Sequence, residues 1–123
     1  MPSEWERDFT ADIALVALTE TQVLTPTLTS VKAGQKVLLT AVAEVLQGAG
    51  AGALTLRIRR GIGTGGVQLG EDIIENMPAA ERHTIAATWS DVPLVDDPQY
   101  TLTLRGAVAG TAENGSLLAS RTD

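Results

Sequence analysis

At 123 residues and with no cysteine, the chain is long enough to bury one core unaided, and it excludes a disulfide framework, a thiolate nucleophile and a cysteine-based zinc site. The net charge of -6 argues against a phosphate-backbone binder, which needs clustered Lys and Arg, so no nucleic acid partner is expected. Aromatic residues are only 3% of the chain, so the core has to come from Val, Leu, Ile and Ala with Thr beside them, a composition suited to a β-sandwich.

Residues 1–11 show no periodicity and no apolar h-region of a secretion signal. They are expected to be a short N-terminal arm ahead of a single domain, residues 12–123. Trp5 and Phe9 are two of the few aromatics, and a solvated tail rarely holds such side chains idle. Either they pack back on the domain, or the arm docks on a neighbouring subunit. No stretch approaches the roughly 20 apolar residues of a membrane helix, so no membrane partner is expected. Between residues 12 and 20, Ala14, Val16 and Leu18 alternate with Ile13, Leu15 and Ala17, which predicts a strand covered on both faces. Residues 23–31 are Thr-rich and extended. Pro26 lacks a ladder donor and puts this strand at an edge, a bend or a bulge. Residues 32–35 make a turn.

Residues 35–60 hold two apolar runs around a Gly/Ala segment and read as a long hairpin at the heart of the domain. The first run has two readings. Lys36, Thr40, Ala43, Glu44 and Gln47 share a helical face with Gly48 as a C′ residue. As a strand, Val37, Leu39, Ala41, Ala43 and Val45 form one face and Lys36, Leu38, Thr40, Val42, Glu44 and Leu46 the other. The strand is preferred because Leu54, Leu56 and Ile58 alternate with Thr55, Arg57 and Arg59 and need a partner. The glycines of residues 61–66 are not followed by the Lys-Ser/Thr pair or helix start of a phosphate loop, and predict a plain loop. Residues 71–81 form either a turn of helix or a short strand through Ile73 and Ile74. In residues 82–90, His83, Ile85, Ala87 and Trp89 lie on one face. Pro93 and Pro98 punctuate the next segment, and Tyr100, Leu102 and Leu104 mark the clearest strand. Residues 110–115 read as a turn before a last short strand. About eight strands with short turns indicate one antiparallel sandwich or jelly roll, an all-β fold.

Chemistry-bearing groupings are few. His83 is the sole histidine and has no second imidazole for a zinc site. Asp91, Asp96 and Asp97 supply oxygen for a calcium loop, but without EF-hand spacing they read as turn aspartates. No nucleophile motif of the Gly-x-Ser-x-Gly kind occurs. No cofactor, metal site or catalytic residue is expected, and the chain is not expected to be an enzyme. Arg57, Arg59 and Arg60 concentrate positive charge, either paired with Glu44 across the hairpin or presented to another subunit. Trp5, Phe9, Arg57 and Arg59 are therefore the expected partner contacts.

Residues 31–41, 54–61 and 100–105 resemble the strands of small bacterial and phage jelly-roll domains, similar in layout to the tumour-necrosis-factor and complement-head trimers. They also resemble tailed-phage capsid decoration, or cement, proteins. That resemblance spans roughly residues 12–122 and implies a homotrimer or other homo-oligomer on a capsid, with the major capsid protein as second partner and the virion as location, after synthesis in the host cytoplasm. It carries over no functional residue. The other reading is a non-catalytic carbohydrate- or receptor-binding jelly roll.

Overall fold

The computed structural model describes residues 4–122. They form nine strands: β1 (Glu4–Phe9), β2 (Ile13–Leu15), β3 (Thr21–Leu24), β4 (Val37–Gln47), β5 (Gly52–Arg60), β6 (Val67–Met77), β7 (Arg82–Asp91), β8 (Tyr100–Gly106) and β9 (Gly110–Arg121). Sheet A has the order β1-β9-β4-β7, with β2 also on β9, and sheet B the order β3-β8-β5-β6. All pairings are antiparallel. Apart from β1 to β2 and β5 to β6, every link passes from one sheet to the other, and the first strand lies beside the last. This is the jelly-roll arrangement expected from the sequence.

Period-two alternation explains the core. Val37, Leu39, Ala41, Ala43 and Val45 on β4 are fully buried, and face Leu54, Leu56 and Ile58 on β5 and Leu102 and Leu104 on β8. Each fully buried Leu or Val contributes about 1.5–3 kcal/mol. The helical reading of residues 35–47 fails because this stripe of every second residue lies wholly inside and the backbone pairs with both β7 and β9. Tyr100 is also fully buried, and its hydroxyl donates to Asp91 over 2.8 Å.

Three expectations are corrected. Residues 35–60 are not a hairpin: β4 lies in sheet A and β5 in sheet B, with no ladder between them. Two strands with one strongly apolar stripe each bury more by stacking across the sandwich than by lying side by side. The strand expected over residues 12–20 is confined to Ile13–Leu15, and Val16 and Leu18 are 62% and 64% exposed. At Leu18 the backbone turns left-handed, with φ 61°, as its N–H reaches the Gly106 carbonyl at 2.8 Å. Of the two readings of residues 71–81 the strand is the one found, and β6 carries Ile73 and Ile74 in a strand of 11 residues. Residues 110–115 belong to β9 rather than to a turn. Gly115 is there for close approach: a Cβ would lie 2.5 Å from the Val42 carbonyl oxygen and 2.8 Å from the Phe9 ring.

The segment read as an arm contributes β1, which pairs along β9 from Glu4 opposite Ser120 to Phe9 opposite Gly115. The placing of Pro26 agrees with its chemistry. β3 is the outer strand of sheet B, carries a register shift between Gln22 and Leu24, and stops before the proline.

Candidate interaction surface

The outer face of sheet B is closed by charge. Arg57 and Arg59 project from β5 beside Thr101 and Thr103 of β8. Glu20, just before β3, reaches over them: its carboxylate accepts from Arg57 at 2.7 Å, from Arg59 at 2.8 Å and from the Thr103 hydroxyl at 2.7 Å. Asp72 takes a second, two-pronged bond from Arg57 at 2.8 and 3.0 Å, and accepts from Gln68 at 2.6 Å. A bulge creates this position, because Leu56 pairs with Ile73 while Ile58 pairs with Leu69, leaving Gly70, Glu71 and Asp72 opposite Arg57 alone. The Arg59 guanidinium first, then the Thr103 hydroxyl and Arg57, overcome burial and hold the Glu20 carboxyl at about 2. Arg57 and Gln68 hold Asp72 at about 2. The cover is close enough to bury Thr101 and Thr103 completely.

The outer face of sheet A is different. Three consecutive rows across β9, β4 and β7 read Ser120-Leu38-Ser90, Leu118-Thr40-Thr88 and Ser116-Val42-Ala86. None of the nine is charged, and Leu38 is 37% exposed. On the far side of β9, Glu4, Glu6 and Asp8 of β1 continue these rows and make an acidic border. A second apolar surface lies at the loop end, where Val92, Leu94 and Val95 are exposed on the β7–β8 connection and Ile62 on the β5–β6 loop. Large exposed aliphatics grouped in this way mark contact surfaces more often than solvated ones.

The two sides of the sandwich also differ. On the β1/β3 side, the indole N–H of Trp5 donates to the Thr29 carbonyl at 3.1 Å, and Trp5 and Phe9 pack half-buried against the core. On the β6/β7 side a groove of about 360 Å³ stays open, lined by Leu56, Ile58, Leu69, Ile73, Trp89 and Glu71 among others.

Of the expected partner contacts, the structure thus places Trp5 and Phe9 on β1 against this chain's own core, and Arg57 and Arg59 in one ion-pair network. Their carboxylate partners are Glu20 and Asp72, not Glu44, which instead accepts from Asn114. The pairing with Glu44 is excluded by topology, since β4 and β5 lie in different sheets. Arg60, the third basic residue, points to the sandwich end, where its Nε donates to Asp91 at 3.0 Å and its Nη2 makes a second bond to the same carboxylate. Burial pushes the Asp91 carboxyl up, but Arg60 and the Tyr100 hydroxyl outweigh it, so it is held below the usual aspartate value. Burial, followed by the Asp91 bond, raises Tyr100 well above an ordinary phenol. The three aspartates weighed for calcium do not converge. Asp97 and Asp96 accept the backbone N–H groups of Ser30 at 2.7 Å and Ala33 at 2.9 Å, tying the β7–β8 loop to the β3–β4 loop. His83 Nε2 lies 3.5 Å from Glu81 at the strand start.

Sequence reasoning missed Glu20, the centre of the network, because its partners are 37, 39 and 83 residues away. It also missed Trp89 as a groove wall. The signal was present as the one large aromatic of β7, flanked by Thr88 and Ser90.

No family model and no curated protein matches the chain. Solved structures do. A chain of the infectious bursal disease virus particle aligns with TM-score 0.64 over 98% of this chain at 6% identity, and one of the subviral particle of that virus with TM-score 0.62 over 96% at 7%. This chain spans about a third of those chains' length, 32% and 33%. A Bacillus endospore appendage, described as a disulfide-linked pilus, aligns with TM-score 0.51 and 18% identity, covering 98% of this chain and 90% of that one. At these identities the shared property is the fold: this chain is a jelly roll of the kind that also occurs in viral capsid chains.

Proposed function

We propose that the chain is a non-catalytic structural jelly roll that associates with copies of itself as a homotrimer or other homo-oligomer on the surface of a phage head, as a decoration or minor capsid protein bound to the major capsid protein. The observation that carries this reading is the uncharged block on the outer face of sheet A, from Leu38 and Leu118 to Ala86. Stable interfaces bury roughly 800 Å² per partner and keep charge out of their centre. The uncharged block, three strands at about 4.8 Å each and about six residues at about 3.4 Å each, offers roughly 300 Å², the centre of such an interface, and its polar surroundings would form the rim. The exposed Val92, Leu94 and Val95 would meet the second partner, and the free edge of β1 is the part of the first eleven residues that would reach a neighbour. The capsid chains of shared fold support the structural role.

The test is the mass in solution by light scattering, with Thr40→Lys and Leu118→Lys in one chain. The native protein is expected to form a defined oligomer and the double variant to be monomeric with an unchanged far-UV circular dichroism spectrum, its melting temperature lower only by what association adds. A native monomer that also fails to bind purified capsids would remove the proposal.

A further inference from the structure

The groove on the β6/β7 side adds a separate surface with its own chemistry. β6 ends sheet B and β7 ends sheet A, so two strand edges without ladder partners flank one apolar trough. Its floor is Leu56, Ile58 and Leu69 and its wall is Trp89, which is 45% exposed although it shares the core-facing side of β7 with buried Ile85. The Trp89 ring lies on Gly70, where φ is +71° and a Cβ would come 2.8 Å from the ring. The same bulge that aims Asp72 at Arg57 therefore also seats the tryptophan. Among the described residues the indole N–H has no acceptor.

Charge decides what fits. Glu71 lines the trough, and Glu75 shares the strand face of Ile73. Neither carboxylate has a cation among the described residues, because Arg57 is held by Glu20 and Asp72 and Arg82 by Glu113. An apolar residue between two unpaired acids on one face of β6, beside a strand edge, complements an extended segment that carries basic, apolar and basic side chains at every second position, all on one face. A second copy of this chain suits the site less well, since it would bring its own acidic β6 and a net charge of -6 to the contact. A sugar suits it poorly too, because the aliphatic floor leaves hydroxyls without partners.

We infer that the groove between β6 and β7 binds an extended basic-apolar segment of a partner protein by strand addition, with an aliphatic side chain against Trp89 and flanking Lys or Arg on Glu71 and Glu75. This site adjoins the sheet A face at Thr88, which lines the groove, and its test reads peptide binding rather than oligomeric state.

The probe is a blocked nine-residue peptide with Lys-Ser-Val-Ser-Lys at its centre, so that lysine, valine and lysine share one face, compared with one in which glutamate replaces both lysines and one in which serine replaces the valine. Binding is read by anisotropy of labelled peptide on the native chain, and by tryptophan emission in Trp5→Phe, where Trp89 is the sole reporter. The lysine–valine peptide is expected to bind saturably and shift Trp89 emission to the blue. Glu71→Gln with Glu75→Gln is expected to weaken it about tenfold, the sum of two modest ion pairs. Absence of saturable binding overturns the inference, as does equal binding of either comparison peptide or an emission shift produced by simple sugars and not by peptide. Self-association abolished by the same glutamate substitutions would also overturn it, by making the occupant a second copy.

Discussion

The two outer faces of this sandwich solve the same problem by opposite means. Each sheet has one side in the core and one side outside. On sheet B the outside is covered by long side chains of the chain itself: Glu20, Arg57, Arg59 and Asp72 lock together over Thr101 and Thr103. On sheet A the outside has only Ser, Thr, Ala, Val and Leu across its middle, with nothing long enough to cover it. A face that satisfies its own charges is finished as a surface. One that presents neutral, short side chains over several strands can be covered by another molecule without stripping water from ions. Covering the middle of the sheet A face therefore costs less desolvation than covering the charged face around Arg57 and Arg59.

That contrast can be broken most severely at Glu20. Replacing it by Ala leaves Arg57 with one partner and Arg59 with none of its carboxylate bonds, and the loss is expected to be about 2–3 kcal/mol in urea unfolding, the range for hydrogen bonds to a charged, part-buried group. Acid should remove the same support more gently. Glu20 is held at about 2 against an ordinary 4.5, so the folded state binds its proton less readily than the unfolded one. Its contribution, about 3 kcal/mol at most, is present above pH 4.5 and disappears as pH falls towards 2. Asp72 acts in the same direction between its ordinary 3.8 and about 2. Unfolding midpoints measured across that window should fall steeply for the native chain and less for Glu20→Gln; parallel curves would show that the network does not set acid stability. Thr103→Val keeps shape and removes one bond to Glu20, with an expected cost of about 1 kcal/mol by the same measurement. Smallest in stability is Thr40→Lys on sheet A, within about 0.5 kcal/mol because the site is exposed. Yet this is the change expected to disrupt association, read by light scattering. If it destabilised the fold as strongly as Glu20→Ala, the contrast between the faces would be wrong.

Much of the fold was legible. The alternation of Leu54, Leu56 and Ile58 with Thr55, Arg57 and Arg59 matches the buried and outward faces of β5, and Tyr100, Leu102 and Leu104 are core residues of β8. His83, Ile85, Ala87 and Trp89 do share the core-facing side of β7. The candidate surfaces were much less legible. Arg57 and Arg59 were noticed as charge, but their partners come from strands distant in sequence. The neutral block on sheet A was visible in β4 alone; its breadth depends on which strands lie to either side.

By itself the sequence determined the class of structure: period-two apolar stripes, short turns and Pro26 at an edge are local consequences of backbone geometry and side-chain volume, and they need no knowledge of neighbours. Only the tertiary structure decided how the stripes pair. Whether residues 37–47 lie beside or across from residues 52–60 is a choice between two ways of burying the same atoms, and the sandwich takes the one that covers both stripes at once. From that choice follow the self-neutralised face, the uncharged face, and the groove where β6 and β7 end the two sheets. Charges and edges become surfaces only when strands far apart in the chain are set next to one another.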